Sequence, residues 1–239
     1  MTYRALTFAA VLATTSCSVP GRKAAETNVI RPSDVLDFHL LYAQNCSGCH
    51  GANGQGGLTV GLGDPVYLAI SDDAIIRRIT TEGVPGTTMP AFSRKAGGSL
   101  TDAQIEVLVR GIRSEWSKPG SFNNQRPPAY TAAQPGNPAR GRRVFTTFCS
   151  SCHGTDGHGG RGGSISDNSY LALVSDQHLR TVTITGMPAL GAPDWRGDVP
   201  GQPLTEADVT DVVAWLAAQR VPSTPQALSS ALHPAGGSE

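Results

Sequence analysis

The amino-acid sequence predicts an all-α protein made of two small domains in tandem, joined by a proline-rich linker. Two observations lead to this fold class. The second half of the chain repeats the landmarks of the first half in the same order, and each half closes on a segment with the apolar periodicity of an amphipathic helix. At 239 residues the chain is long enough for two domains of roughly 100 residues, each with its own core.

The repeat is centred on a five-residue pattern, Cys-x-x-Cys-His, that occurs twice. Its residues lie at Cys46, Cys49 and His50 and again, 103 positions later, at Cys149, Cys152 and His153. Each copy is followed by a glycine-rich stretch, then by Met-Pro-Ala, and finally by Leu-Thr-Asp-Ala or Leu-Thr-Glu-Ala. Because these landmarks keep one order, a duplicated domain explains them better than one domain with two metal sites.

Repeat and composition together divide the chain into six segments. They are a signal peptide at residues 1–17, a flexible tether at 18–32, the first domain at 33–116, the linker at 117–136, the second domain at 137–220 and a disordered tail at 221–239. The linker contains Pro119, Pro127 and Pro128 among small polar residues, which predicts an extended chain rather than a third domain.

Each domain is predicted to open with a short helix that ends at its Cys-x-x-Cys-His motif. The first runs over residues 33–44 with Ser33 or Asp34 as its N-cap, and the second runs over 137–148 with Asn137 as its N-cap.

The middle and the end of each domain carry further helix signals. Short helices are predicted over residues 72–80 and 175–183, and closing helices begin after Thr101 and Thr205 as N-caps. The apolar stripes of the closing helices are Ile105, Leu108, Val109 and Ile112 in the first domain and Val209, Val212, Val213 and Leu216 in the second. These stripes are expected to pack on the opening helix of their own domain.

The N-terminus predicts export. Arg4 precedes an apolar stretch at residues 5–13 that is too short to span a bilayer, as in a signal peptide. Residues 14–17, Thr-Thr-Ser-Cys, resemble the lipobox of bacterial lipoproteins, although a large aliphatic residue is usual where Thr14 stands. We therefore expect Cys17 to be lipidated and the protein to lie at the periplasmic side of the membrane. Ordinary cleavage without a lipid is the alternative.

Charge and cysteine content narrow the function classes. With 19 Lys and Arg against 19 Asp and Glu the formal net charge is zero, so no overall field attracts nucleic acid. Four of the five cysteines belong to the two motifs and the fifth is Cys17, which leaves no pair for a structural disulfide.

The Cys-x-x-Cys-His motif is the attachment site of c-type haem. Two thiols three positions apart can add to the two vinyl groups of one haem, and the adjacent histidine then binds the iron. The sequence disfavours two alternatives. A Cys₄ zinc site normally has its Cys pairs 15–20 residues apart rather than about 100, and a thioredoxin-like pair needs a βαβ surrounding that this sequence lacks.

Two methionines are candidates for the second axial position of the iron. Met89 and Met187 occupy equivalent Met-Pro-Ala segments, and a thioether is a soft ligand that raises the reduction potential of haem iron. Packing in the core is the alternative role for both. The rival ligands are His39, His158, His178 and His233, none of which recurs in the other half. Arginines that are candidates for neutralising the haem propionates are Arg77, Arg78 and Arg180.

With its opening helix, Cys-x-x-Cys-His-Gly, glycine-rich loop, Met-Pro loop and closing helix, each half resembles a class I cytochrome c domain. The tandem resembles bacterial dihaem cytochromes c, and its short domains resemble those in cytochrome subunits of haem–copper oxidases. The resemblance implies two covalently bound haem c groups. The first would be held by Cys46 and Cys49 with His50 and Met89 as axial ligands, and the second by Cys149 and Cys152 with His153 and Met187.

One position departs from the family pattern. The family has a small residue on the opening helix, where this helix crosses the closing helix closely. Gly141 matches that residue in the second domain, whereas Phe38 stands at the corresponding place in the first domain. The resemblance therefore predicts a wider crossing in the first domain.

The expected function is electron transfer rather than enzymatic catalysis. Two irons that each carry His and Met have no open position, so no small-molecule substrate is expected. The expected partners are a respiratory or photosynthetic electron donor and an electron acceptor, both of unknown identity. The lipid anchor expected at Cys17 would add the membrane surface as a further partner. Two other functions stay open: a haem enzyme such as a dihaem peroxidase, and a fixed cytochrome subunit of a larger oxidase or dehydrogenase complex.

Overall fold

A computed structural model describes residues 30–118, 122, 124–197, 199 and 201–221. Within these ranges the chain forms helices, turns and two isolated bridges but no β-strand, which confirms the all-α prediction. The predicted signal peptide, Cys17, most of the tether, His233 and all of the predicted tail except residue 221 lie outside the described residues. No helix among the described residues combines the length and the apolar character that crossing a membrane requires.

The helices follow the same order in both halves. In the first half a 3₁₀ helix at Pro32–Asp34 precedes α1 (Phe38–Asn45), α2 (Ser47–His50), α3 (Pro65–Ile70), α4 (Asp73–Glu82), a 3₁₀ helix at Arg94–Ala96 and α5 (Asp102–Trp116). In the second half are α6 (Pro138–Phe148), α7 (Ser150–His153), α8 (Asn168–Leu171), α9 (Asp176–Thr185), a 3₁₀ helix at Pro188–Leu190 and α10 (Glu206–Ala217).

The predicted start of the first opening helix is wrong. Neither Ser33 nor Asp34 caps it, because the proline at position 32 nucleates a separate 3₁₀ turn and the chain is extended after that turn. Helix α1 begins at Phe38, and the Asp37 carboxylate accepts a hydrogen bond of 2.7 Å from the amide of Leu40. Its counterpart α6 begins as predicted, with Asn137 Oδ1 accepting from the amide of Arg140 at 3.0 Å.

The other predicted helices are present. The middle helices α4 and α9 each extend two residues beyond the predicted end, and both closing helices start at the predicted threonine caps. In addition, α3 and α8 were not predicted. They have six and four residues, which is too short for a periodic signal, although Asp64 and Asp167 cap them.

Each closing helix packs on the opening helix of its own domain. In the first domain Leu41 and Tyr42 of α1 are buried with the stripe of α5, and in the second domain Phe145 of α6 is buried with Val212 and Leu216 of α10. The predicted stripes therefore form the two cores, except that Val209 belongs to a third cluster that both domains share.

Each helix crossing contains a glycine, which lies on the opening helix in the second domain and on the closing helix in the first domain. In the second domain Gly141 of α6 lies against the backbone of Asp211 and the side chain of Trp215, where a Cβ would overlap them. In the first domain the ring of Phe38 on α1 lies against Gly111 of α5, where a Cβ would overlap the ring. The first crossing therefore accommodates Phe38 by means of a glycine on the other helix, a partner that inspection of the opening helix alone does not reveal.

Gly111→Ala is expected to destabilise the first domain by about 1–3 kcal/mol, because the new methyl group overpacks a full core. Shortening the opposing side chain in Phe38→Ala/Gly111→Ala should recover part of this loss beyond additivity. Chemical denaturation of the four proteins of this double-mutant cycle measures the coupling. Additive effects would show that the ring of Phe38 does not occupy the space above Gly111.

A carboxylate ties the two helices of the second crossing together. Asp211 of α10 is 4% exposed and accepts hydrogen bonds from the Asn137 amide at 2.6 Å and from Arg140 Nε at 2.6 Å and Nη2 at 3.0 Å. The hydrogen bond from Arg140 is the main reason that the pKa of Asp211 lies below its usual value. The ionised carboxylate is therefore the form that stabilises this crossing.

Asp211→Asn is expected to lower the free energy of unfolding at pH 7 and to weaken its dependence on acid. A native pKa below the unfolded value of about 3.9 means that the stabilisation is complete above that value and is lost as the pH falls through the native pKa. Denaturation at pH 7 and at pH 3 should therefore show a smaller difference for the variant than for the wild type. An equal difference in both proteins would show that Asp211 does not contribute to the loss of stability in acid.

The described part of the predicted linker is extended but not free. Residues 124–134 contain no helix, as predicted, yet Tyr130 is buried, and Arg180 of α9 donates to the carbonyls of Ala129 and Tyr130 at 2.8–3.1 Å. Arg180 is 3% exposed and also pairs with Glu206 of α10. This arginine therefore fastens the linker to the second domain.

Candidate functional site

Each Cys-x-x-Cys-His motif forms a single helical turn directly after the opening helix. Cys46 is the C-cap of α1 and also the N-cap of α2. Cys149 is in the same way the C-cap of α6 and the N-cap of α7. The amide of His50 donates to the carbonyl of Cys46 at 3.0 Å, and that of His153 donates to Cys149 at 3.0 Å. One turn thus carries two thiols and an imidazole.

The two imidazoles are held by the same hydrogen bond. His50 Nδ1 lies 2.8 Å from the carbonyl oxygen of Val60, and His153 Nδ1 lies 2.9 Å from that of Gly163, ten residues further along the chain in both cases. A carbonyl only accepts, so Nδ1 carries the proton, and Nε2 keeps its lone pair for a metal. Burial lowers the pKa of His50, which favours the neutral imidazole that coordination requires.

A glycine with positive φ turns the chain after each motif. Gly51 and Gly154 end α2 and α7 at φ 82° and 77°, a region in which a side chain would be strained. The carbonyl of Gly51 also accepts a hydrogen bond of 2.8 Å from the hydroxyl of Tyr42 on α1. The glycine after each histidine therefore lets the loop fold back, so that Val60 or Gly163 reaches the imidazole.

The four cysteines of the described chain are free thiols in two separate pairs. Burial raises the pKa of Cys46 and of Cys149 to about 12, with the neighbouring Cys49 and Cys152 adding to the effect. These thiols are therefore neutral at physiological pH, whereas a zinc site binds thiolates. Among the described residues no group of three or more His, Cys, Asp or Glu is arranged to hold a metal ion, so the two pairs do not form one Cys₄ site.

The methionines lie on separate loops that differ in shape. Met89 is half-buried, and its carbonyl accepts from the amide of Val84 at 3.0 Å. Met187 follows the C-cap of α9 directly and exchanges backbone hydrogen bonds of 3.0 and 3.1 Å with Ala192. Both loops follow the middle helix of their domain, so each methionine has the same place in the order of elements, and its coordination of iron stays a prediction.

The other predicted candidates have different surroundings. His39 and His158 are exposed, and Arg77 of α4 pairs with Glu106 of α5 at 2.8 Å. Arg180 is engaged with the linker, as described above. His178 on α9 is half-buried, and burial is the main reason that its pKa lies below the usual value.

Each constellation fits the attachment of a haem. Two thiols of one helical turn are the groups that form the thioether links, and a neutral imidazole with its Nε2 free is the axial ligand. Sequence reasoning did not identify the carbonyls of Val60 and Gly163, because any residue offers a backbone carbonyl and the two positions have different residue types.

Two protein-family models match the chain. The model described as cytochrome c matches residues 138–219, and the model described as cytochrome C oxidase, cbb3-type, subunit III matches residues 34–110. The two matches fall within the predicted second and first domains, respectively.

Individual proteins are similar to the chain over part of their length. The cytochrome bc1 complex cytochrome c subunit of Mycobacterium tuberculosis is 27% identical over 150 residues, which cover 61% of this chain and 51% of that protein. The cbb3-type cytochrome c oxidase subunit CcoP of Azospirillum sp. is 31% identical over 146 residues, covering 54% and 44%. The chain thus spans about half the length of the curated relatives it matches.

Among solved structures, a chain of a reducing HAO-like protein complex of Kuenenia stuttgartiensis has a TM-score of 0.46 at 17% identity. The match covers 77% of this chain and 96% of that one.

Proposed function

Since the chain consists of two cytochrome c domains in tandem and belongs to the class I c-type cytochromes, we propose that it transfers single electrons through two covalently bound haem groups. The observation that carries the proposal is the pair of equivalent constellations, each with two thiols and a histidine whose Nδ1 is held by a carbonyl ten residues away. Family membership alone does not provide two working sites, whereas these constellations supply the same ligands twice.

The proposed ligand sets follow the two domains. Cys46 and Cys49 would hold the first haem covalently, and His50 and Met89 would bind its iron. Cys149 and Cys152 would hold the second haem, and His153 and Met187 would bind its iron.

When bound, haem c supplies an iron that changes between the ferric and the ferrous state by one electron. The chain contributes the rest. The thioether links keep the group from leaving, and the carbonyls of Val60 and Gly163 fix the imidazole rings, so that the ligands need not move when the charge on the iron changes. The buried cores beside the motifs exclude water and thereby favour the form with the lower charge.

We favour an electron carrier over a haem enzyme such as a dihaem peroxidase. A peroxidase needs an iron with an open position, and each domain here offers a methionine at an equivalent place after its middle helix. The relatives named above are subunits of a bc1 complex and of a cbb3-type oxidase, so we propose membrane-bound respiratory proteins as donor and acceptor.

The location proposed is the periplasmic side of the membrane, with a lipid on Cys17 as the anchor. The support is the signal-peptide layout of residues 1–17 and the lipobox-like Thr-Thr-Ser-Cys. Labelling with a radioactive fatty acid would test the anchor, and Cys17→Ser should abolish the label and release the protein into the periplasm.

Electron counting on the purified protein tests the function. The oxidised protein should take up two electrons per chain from a chemical reductant and return both to a chemical oxidant, without turnover of hydrogen peroxide. Rapid peroxide consumption by the reduced protein, or a high-spin absorption spectrum, would favour the enzyme instead.

A further inference from the structure

The two domains share a hydrophobic interface. Val66 of α3 in the first domain is 3% exposed and belongs to one buried cluster with residues of the second domain. The buried partners from the second domain are Ile184, Trp195, Leu204 and Val209. Ile184 is fully buried and lies on α9, and Leu179 of the same helix packs in the core of the second domain. The helix therefore has one face for each domain.

The linker borders this interface. Ala129 and Tyr130 of the linker line a cavity together with Ala69 and Ile70 of α3 in the first domain. Arg180 of α9 donates to the carbonyls of the same two linker residues. Apolar contacts and the linker thus hold the two domains together.

The same interface brings the two sites together. A small cavity between the domains is lined by Thr59, Gly61 and Asp64 on one side and by Gly186, Met187 and Pro188 on the other. The residue between Thr59 and Gly61 is Val60, whose carbonyl holds the imidazole of His50. The loop that fixes the histidine of the first site therefore meets the loop that carries the methionine of the second site.

From this geometry we propose that the junction between the Val60 loop and the Met187 loop is the route by which an electron passes between the two sites, with Val66 and Ile184 as positioning residues. The proposal rests on the proposed function. In the step one site loses an electron and is oxidised, the other site gains the same electron and is reduced, and no bond, proton or further reactant is involved.

A fixed junction has measurable consequences that a flexible linker between the two domains would not have. The distance between the two irons should be single-valued, and electrons should equilibrate between them at a rate that does not depend on protein concentration. Pulsed electron paramagnetic resonance on the oxidised full chain measures the first property. Pulse radiolysis of the same protein, which delivers one electron to the oxidised chain, measures the second.

Val66→Asp is the variant that separates the domains, because it buries an unpaired carboxylate in the shared cluster. We expect a broadened iron–iron distance and a roughly tenfold slower internal equilibration, as for domains that are docked only about one-tenth of the time. The matched control is Leu36→Asp, which adds the same charge at an aliphatic residue of the first domain that is 54% exposed and should change neither measurement. Haem content and absorption spectra verify that both variants keep their two sites.

If Val66→Asp fails to fold, Val66→Ala replaces it, since this change removes apolar contact from the shared cluster without burying a charge. Three results would contradict the proposed route. They are a broad iron–iron distance in the wild type, an equilibration rate that rises with protein concentration, and a folded variant with an unchanged rate. A protein that binds haem and exchanges electrons but gives these results would leave the proposed function standing. A protein without two redox-active irons would instead refute that function.

Discussion

Met89→His is expected to lower the reduction potential of the first iron site by on the order of 0.1 V, part of the range of about 0.8 V that axial ligands control. A thioether sulfur favours ferrous iron, whereas an imidazole donates more strongly to the ferric state. The second site should keep its potential, which makes it the internal control. Spectroscopic redox titration of wild type and variant measures both sites in one experiment.

The matched variant Met187→His should lower the potential of the second site alone. Each substitution should also remove half of the thioether–iron charge-transfer absorption in the near infrared. If a variant keeps both its potential and this band, that methionine does not bind iron and packs in the protein instead.

Cys149→Ser/Cys152→Ser is expected to remove one of two covalently attached haems, because serine hydroxyls do not form the thioether links. The second domain should also lose stability, since its small core would no longer pack on a covalently fixed group. Mass spectrometry of the denatured protein counts the haems that remain attached. The reciprocal variant Cys46→Ser/Cys49→Ser should lose the other haem and keep that of the second domain.

Two outcomes would contradict this assignment. One is a Cys149→Ser/Cys152→Ser protein that still carries two covalent haems. The other is a wild-type protein that carries zinc and no haem, in which case the neutral, buried thiols of Cys46 and Cys149 would have to ionise on metal binding.

Local signals made much of the fold predictable. The threonine caps at Thr101 and Thr205 and the apolar stripes behind them depend only on residues within one helix, and the closing helices begin where these signals place them. The opening helix of the first domain was harder. Ser33, Asp34 and Asp37 all have capping side chains, and the choice among them depends on where the proline at position 32 ends its own turn.

Contacts that join distant parts of the chain were not predictable in the same way. Val66 is an ordinary aliphatic residue in sequence, and its burial depends on Ile184, which lies in the other domain. Arg180 was a candidate for contact with the cofactor, yet its guanidinium binds linker carbonyls, because buried backbone oxygens there need donors. Such pairings depend on how the two domains dock, and the hydrophobic periodicity of a single segment contains no information about docking.

For the site, the sequence predicted the residues that would attach the cofactor, but not the hydrogen bonds that orient the histidines. Two thiols and a histidine within five residues specify the cofactor by spacing alone. The carbonyl of Val60 that orients His50 carries no side-chain identity, because any residue offers a backbone oxygen. The ligand set could therefore be proposed from the sequence, whereas the hydrogen bond that selects the tautomer required the structure.

The central claim is that both domains hold a low-spin haem with histidine and methionine ligands and exchange one electron each. Spectroscopic redox titration of the purified wild-type protein tests it most directly. We predict two one-electron steps, low-spin spectra throughout, and a near-infrared thioether–iron band in the oxidised protein with the intensity of two sites. A single step, a high-spin component, or a band with the intensity of only one site would contradict the claim.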